Sequence, residues 1–85
     1  MNLCFLMGKI ISEIQFEFVL NSKNISIVKF KIELENKSII QVKGYNAMAD
    51  FCYSKLKTNY NIFIYGKIDT NMEIEIDRIK LTWYI

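Results

Sequence analysis

The chain has 85 residues, 52% of them hydrophobic and 14% aromatic, and a formal net charge of +2. That describes one domain, residues 1–85, near the lower size limit for a self-sufficient core and too apolar for a disordered tail. With no histidine the commonest acid–base group is missing, and two cysteines fall short of the four ligands of a structural zinc, so neither catalysis nor a cofactor is expected.

The opening, "MNLCFLMGKII", has no basic residue ahead of its apolar run, and Lys9 interrupts that run early. It does not read as a signal peptide, and no segment approaches the ~18 apolar residues of a membrane helix, so a cytoplasmic location is expected. It reads instead as a strand, with Cys4, Leu6, Gly8 and Ile10 on one face and Leu3, Phe5, Met7 and Lys9 on the other. The alternation runs on through "SEIQFEFVL", giving one long first strand that has to curl, and Gly8 marks a bend or a close backbone approach.

"NSKN" at 21–24 is a polar turn, and "ISIVKFKIEL" is the second strand, with Val28, Phe30, Ile32 and Leu34 inward and Lys29, Lys31 and Glu33 outward. Glu35-Asn36-Lys37 forms a hairpin turn in which Asn36 suits a positive φ. The third strand, "SIIQVKGY", turns Ile40 and Val42 inward and Ile39, Gln41, Lys43 and Tyr45 outward.

The rhythm then changes. Asn46 is placed as an N-cap, and Met48, Phe51, Cys52 and Leu56 fall on one stripe of a three-turn helix. After "TNYN", the segment "IFIYGKI" resumes as the fourth strand, with Ile62, Ile64, Gly66 and Ile68 inward and Phe63, Tyr65 and Lys67 outward. Asp69-Thr70-Asn71 turns into the fifth strand, "MEIEIDRIKL". The fold class is therefore all-β: a five-stranded OB-fold barrel, with a capping α-helix between strands three and four that plugs one open end. A Cys4–Cys52 bridge is compatible with the count, but both residues lie on apolar faces and buried free thiols are preferred.

Outward positions mix bases with aromatics: Lys9, Lys29, Lys31, Lys43, Tyr45, Tyr65 and Lys67, with Phe18 as a further candidate and Phe63 divided between stacking and a subunit interface. Single-stranded nucleic acid calls for this combination, because lysines neutralise phosphates while flat rings stack on unpaired bases. The plainer reading of the lysines is a solvated sheet surface. Glu73 and Glu75, two apart, are read as a solvated face rather than a catalytic pair. The uncharged edge of Leu3, Phe5 and Met7 is a liability in a monomer and points to a homodimer or homotetramer through the first strand. Residues 1–67 hold nine lysines against five acids, and residues 68–85 hold two bases against four acids, a mild asymmetry.

These residues resemble the bacterial single-stranded DNA-binding protein (SSB) family and the related primosomal replication protein N family. "NLCFLMGKI" looks like the family's opening and "VKFKIEL" its second strand, while "GYNAMADFCYSKLKTNYNIFIYGKI" follows the family's strand end, aromatic, helix, Lys-rich turn, strand and glycine without a gap. The resemblance spans essentially the whole chain and implies an OB-fold that binds single strands without sequence preference, as a dimer or tetramer. It places Tyr45 where the family carries a stacking aromatic, with Lys43 beside it. Departures are Ile39 at a place where many members have a tryptophan, the remote position of Trp83, a short hairpin at Asp69–Asn71, and no acidic tail after Ile85, so recruitment through such a tail is not expected. The alternative is an OB-fold protein-interaction module of a replication-restart or DNA-transfer complex.

Overall fold

A computed structural model of the chain describes residues 3–20 and 24–82. Its elements are β1 (Leu3–Ile10), β2 (Gln15–Val19), β3 (Ile25–Leu34), β4 (Ile39–Tyr45), α1 (Ala47–Lys55), β5 (Asn61–Ile68) and β6 (Ile74–Thr82). Trp83 and most of the 21–24 turn lie outside the described residues.

The sheet runs β1-β5-β6-β4-β3-β2, and an additional β1–β3 pairing closes it into a barrel. All ladders are antiparallel except β4–β6, a short parallel seam in which Val42 meets Ile74 and Lys43 meets Glu75. Closure shortens the exposed edges that a flat sheet of this size would present, covering β1 at Gly8–Ile10. The expected long first strand is divided: β1 and β2 both pair with β3, but Ile10 faces Ile32 while Gln15 faces Lys29. Residues 11–14 therefore hold two more residues than the stretch of β3 they pass, and this surplus bends the strand around the barrel. The bend is tied at each side: the Lys31 N–H donates to Ser12 Oγ (2.8 Å) and Thr58 Oγ1 donates to the Ser12 carbonyl (2.9 Å). Counting β1 and β2 as one curled strand, the architecture is the expected five strands with one helix before the fourth.

Two glycines mark close approaches of backbone. A Cβ on Gly8 would lie 2.9 Å from the Glu33 carbonyl oxygen, where β1 closes on β3. A Cβ on Gly66 would run into the Glu75 carbonyl oxygen, beside the β5–β6 irregularity at which Tyr65 faces Arg78 but Gly66 faces Ile76.

Inward residues of every barrel strand meet in one core, including Ile10, Val28, Phe30, Val42, Ile62 and Ile74. Each such burial contributes about 1.5–3 kcal/mol before the cost of ordering the chain. The helix closes one end differently from expectation. Ala49, Cys52 and, just past the helix, Leu56 are the buried residues, whereas Phe51 is exposed and Met48 half-buried. Asn46 stands at the N-cap position with φ 56° but makes no side-chain capping bond. Its N–H donates to the Ser26 carbonyl (2.9 Å) and its Oδ1 accepts from the Ser26 N–H (3.4 Å), so it pins the helix start to β3. In the β3–β4 turn the positive φ falls on Lys37 rather than Asn36, whose Oδ1 instead accepts from the Ser38 N–H (3.0 Å).

Candidate nucleic-acid interface

The eight candidate residues divide over separate surfaces. Lys29, Lys31, Lys43 and Tyr45 share the outer face of β3 and β4, where Lys29 stands opposite Lys43, Lys31 opposite Gln41 and Tyr45 opposite Ile27. Lys29 and Lys31 are exposed and form no ion pair with any described residue. Tyr45 is half-buried at the end of β4, one residue before the helix cap. A run of unpaired ammonium groups ending in a ring is the geometry that a phosphate backbone with unstacked bases can use.

Lys43 differs from its neighbours. Its ammonium donates to Asp69 Oδ2 and lies 3.4 Å from Glu73 Oε1, and only 13% of its side chain is exposed. The hydrogen bond to Asp69 raises the Lys43 pKa above the ordinary lysine value, against the opposing effect of burial. The same bond, reinforced by backbone N–H groups of Glu73 and Asn71, lowers the Asp69 pKa. Glu73, read from sequence as part of a solvated face, is thus a partner of Lys43. The cluster lies beside the parallel seam and joins β4 to the β5–β6 turn.

Tyr65 and Lys67 lie on another side of the barrel, and Lys9 stands between the two, opposite Glu33 of β3 and Asn61 of β5. Across the β1–β5 ladder Leu3 faces Lys67, Phe5 faces Tyr65, Met7 faces Phe63 and Lys9 faces Asn61. Phe5 is parallel to Phe63 at 5.6 Å between ring centroids and tilted against Tyr65 at 4.6 Å, with Phe5 and Tyr65 each 52% exposed. The three rings form a ridge flanked by Arg78 and Lys80 of β6, which stand opposite Tyr65 and Phe63. Along β1, only Gly8–Ile10 pair with β3, so among the described residues the Leu3–Met7 stretch has one edge without a strand partner.

Phe18 joins neither surface. Grouped from sequence with the outward residues, it stands opposite Ser26 and on the side of β2 that carries Phe16, opposite the buried Val28. β2 runs past the barrel, so this inward side emerges into solvent and Phe18 is 52% exposed. Phe16 packs against Tyr53 of α1 at 4.8 Å between ring centroids. The two extra residues at 11–14 invert no alternation in β2; what the strand pattern could not convey is that its inner side continues beyond the core.

Both cysteines are free. Burial pushes the Cys52 thiol up to about 12, and burial likewise raises Cys4, whose Sγ–H points to the Gly66 carbonyl at 3.6 Å. Neither has the lowered pKa of an activated nucleophile. No helix among the described residues is long and apolar enough to cross a membrane.

No family model and no curated protein matches the chain by sequence. Solved structures do. The SSB domain of a Synechococcus protein superposes with a TM-score of 0.82 at 15% identity, covering 93% of both chains. The fold is the OB-fold of SSB domains. Mitochondrial single-stranded DNA-binding protein from S. cerevisiae gives 0.82 at 13% identity over 95% of this chain and 93% of that one. Single-stranded DNA-binding protein from Thermus aquaticus gives 0.85 at 13% identity, with all of this OB-fold chain spanning 42% of the Thermus protein.

Proposed function

We propose that this chain binds single-stranded DNA without sequence preference through the outer face of β3 and β4, as a binding protein rather than an enzyme. The observation that carries the reading is the placement of exposed, unpaired Lys29 and Lys31 in line with Tyr45 on an SSB-like barrel. In OB-folds, the face built by the second and third barrel strands is the one that takes oligonucleotides. Counting the curled β1–β2 as one strand, that face is β3–β4. Lys29 and Lys31 neutralise phosphates and Tyr45 stacks on a base. A gel-shift series with oligo-dT at low salt tests this: binding at micromolar protein or below, falling steeply as salt rises, is the expected result. No shift at micromolar protein would overturn it.

The ridge on β1 and β5 is assigned a different task. Leu3, Phe5 and Met7 beside Phe63 and Tyr65 make a continuous apolar surface next to an unpaired strand edge, which supports self-association as a homodimer or homotetramer. On this reading Tyr65, Lys67 and Lys9 belong to, or border, the subunit interface instead of the DNA path. The protein-interaction reading draws on the same ridge, and it takes over if oligo-dT is not bound while the ridge captures a protein partner in a salt-insensitive manner. A cytoplasmic setting fits either role.

A further inference from the structure

Lys29 and Lys43 face one another directly across the β3–β4 ladder, a placement in which two like charges repel. Lys29 is open to solvent, whereas Lys43 is turned toward Asp69 and Glu73 of the β5–β6 turn. An ammonium has three N–H donors, and here two carboxylates stand where phosphate oxygens would otherwise be received. The turn is built to hold them there: Asp69 Oδ1 accepts from the N–H groups of Asn71 (2.8 Å) and Glu73 (3.0 Å), leaving Oδ2 for Lys43. The Asp69 N–H in turn donates to the Glu73 carbonyl (2.9 Å).

We propose that Asp69 and Glu73 act as an intramolecular competitor for Lys43, withholding one phosphate contact from the β3–β4 face and so setting how tightly it holds a single strand. The inference rests on the DNA-binding reading given above and names the residues that limit its affinity. The competitor is local, with a 3.4 Å separation on its longer arm, and part-buried, so salt screens it less than it screens a phosphate contact made from solvent. The face consequently presents Lys29 and Lys31 as its working cations and keeps Lys43 in reserve, while the same ion pairs brace the seam between β4 and β6.

The test is a cycle of variants titrated with oligo-dT at several salt concentrations, with thermal melts to follow the barrel. Asn at 69 retains the Oδ1 acceptor that the turn needs, so D69N/E73Q removes the charge while keeping the turn. In the native chain K43Q would also leave Asp69 and Glu73 uncompensated, so Lys43 is read by comparing K43Q/D69N/E73Q with D69N/E73Q, where no carboxylate is unmasked. D69N/E73Q is expected to tighten binding about 3- to 10-fold and to steepen the slope of log affinity against log salt by about 0.7, one further phosphate contact on a single strand. Adding K43Q to D69N/E73Q should abolish both gains. The proposal is overturned if D69N/E73Q neither tightens binding nor steepens the salt slope. It also fails if the gain of D69N/E73Q survives in the K43Q background, since the acids would then act by general repulsion. If D69N/E73Q unfolds the barrel, E73Q alone, which leaves the Asp69 turn bonds in place, is tested with and without K43Q and decides by the same criteria. Failure of the native chain itself to bind oligo-dT would remove the DNA-binding reading, and this inference with it.

Discussion

The two outer faces of the barrel share a strand rhythm but not a chemistry. On β3–β4 the outward positions are Lys29, Lys31 and Glu33 against Ile39, Gln41, Lys43 and Tyr45, and two of the lysines form no ion pair among the described residues. On β1–β5 the outward positions are Leu3, Phe5 and Met7 against Phe63 and Tyr65, and charge is confined to the margin at Lys9, Lys67, Arg78 and Lys80. Unpaired cations keep a surface hydrated and ready for a polyanion, whereas contiguous rings lower their free energy by losing water against another apolar surface. One small barrel can thus hold a DNA path and a subunit contact on separate faces.

The sharpest way to break this division is to place a charge in the ridge. If the ridge is the proposed subunit contact, Phe5→Asp is expected to leave only monomer, seen as the 10.1 kDa protomer mass by light scattering where the native chain is larger, while per-protomer affinity for short oligo-dT stays within about 3-fold. Loss of DNA affinity equal to the loss of assembly would merge the two faces into one function. Next in size is Tyr45→Ala, expected to cost about 1–3 kcal/mol of oligo-dT binding with assembly unchanged. An unchanged affinity would remove the stacking role and leave the lysines as the whole site. The pair K29Q/K31Q should weaken binding about 10-fold at moderate salt and flatten the salt slope by about 1.4, two single-strand phosphate contacts.

How much of this was legible in the sequence depends on whether a feature is local. Alternation in "ISIVKFKIEL" and "IFIYGKI" predicts β3 and β5 with the correct sides inward, because a strand's period is a property of its own residues. The break at 11–14 has no local signal because it exists only as a register surplus against β3. The β5–β6 irregularity did leave a local trace: in "EIEIDRIKL" two polar residues, Asp77 and Arg78, shift the alternation by one, so that Ile74 and Ile76 hand over to Ile79 and Leu81. Lys43 was correctly placed on the outer face, but its capture depends on a parallel seam that brings residue 69 beside residue 43, which no nearby residue announces. The helix stripe favoured the large Phe51 over the small Ala49, although the close approach of α1 to the barrel leaves room for the smaller side chain.

The smallest expected effect concerns acidity and again sets one face apart from the other. Asp69 is held below its ordinary value of 3.8, so its contribution to stability is present above that value and is lost as pH falls through the lowered one. Lys43 is raised above 10.5, so its contribution is complete below that value and disappears only as pH rises past the raised one. Thermal melts of the native chain and D69N should therefore differ by a constant amount between about pH 5 and pH 9 and converge in strong acid. A difference that grows toward acid would contradict the assigned signs. The β1–β5 ridge, which carries no carboxylate among its rings, should show no counterpart.

The division of labour is tested most directly by amide chemical shifts in an NMR titration with oligo-dT, read residue by residue. The account predicts that the largest changes fall on Ile27–Lys31 and Gln41–Tyr45, with Phe5, Phe63 and Tyr65 nearly still. Changes centred on Phe63–Lys67, with β3 and β4 unmoved, would contradict it.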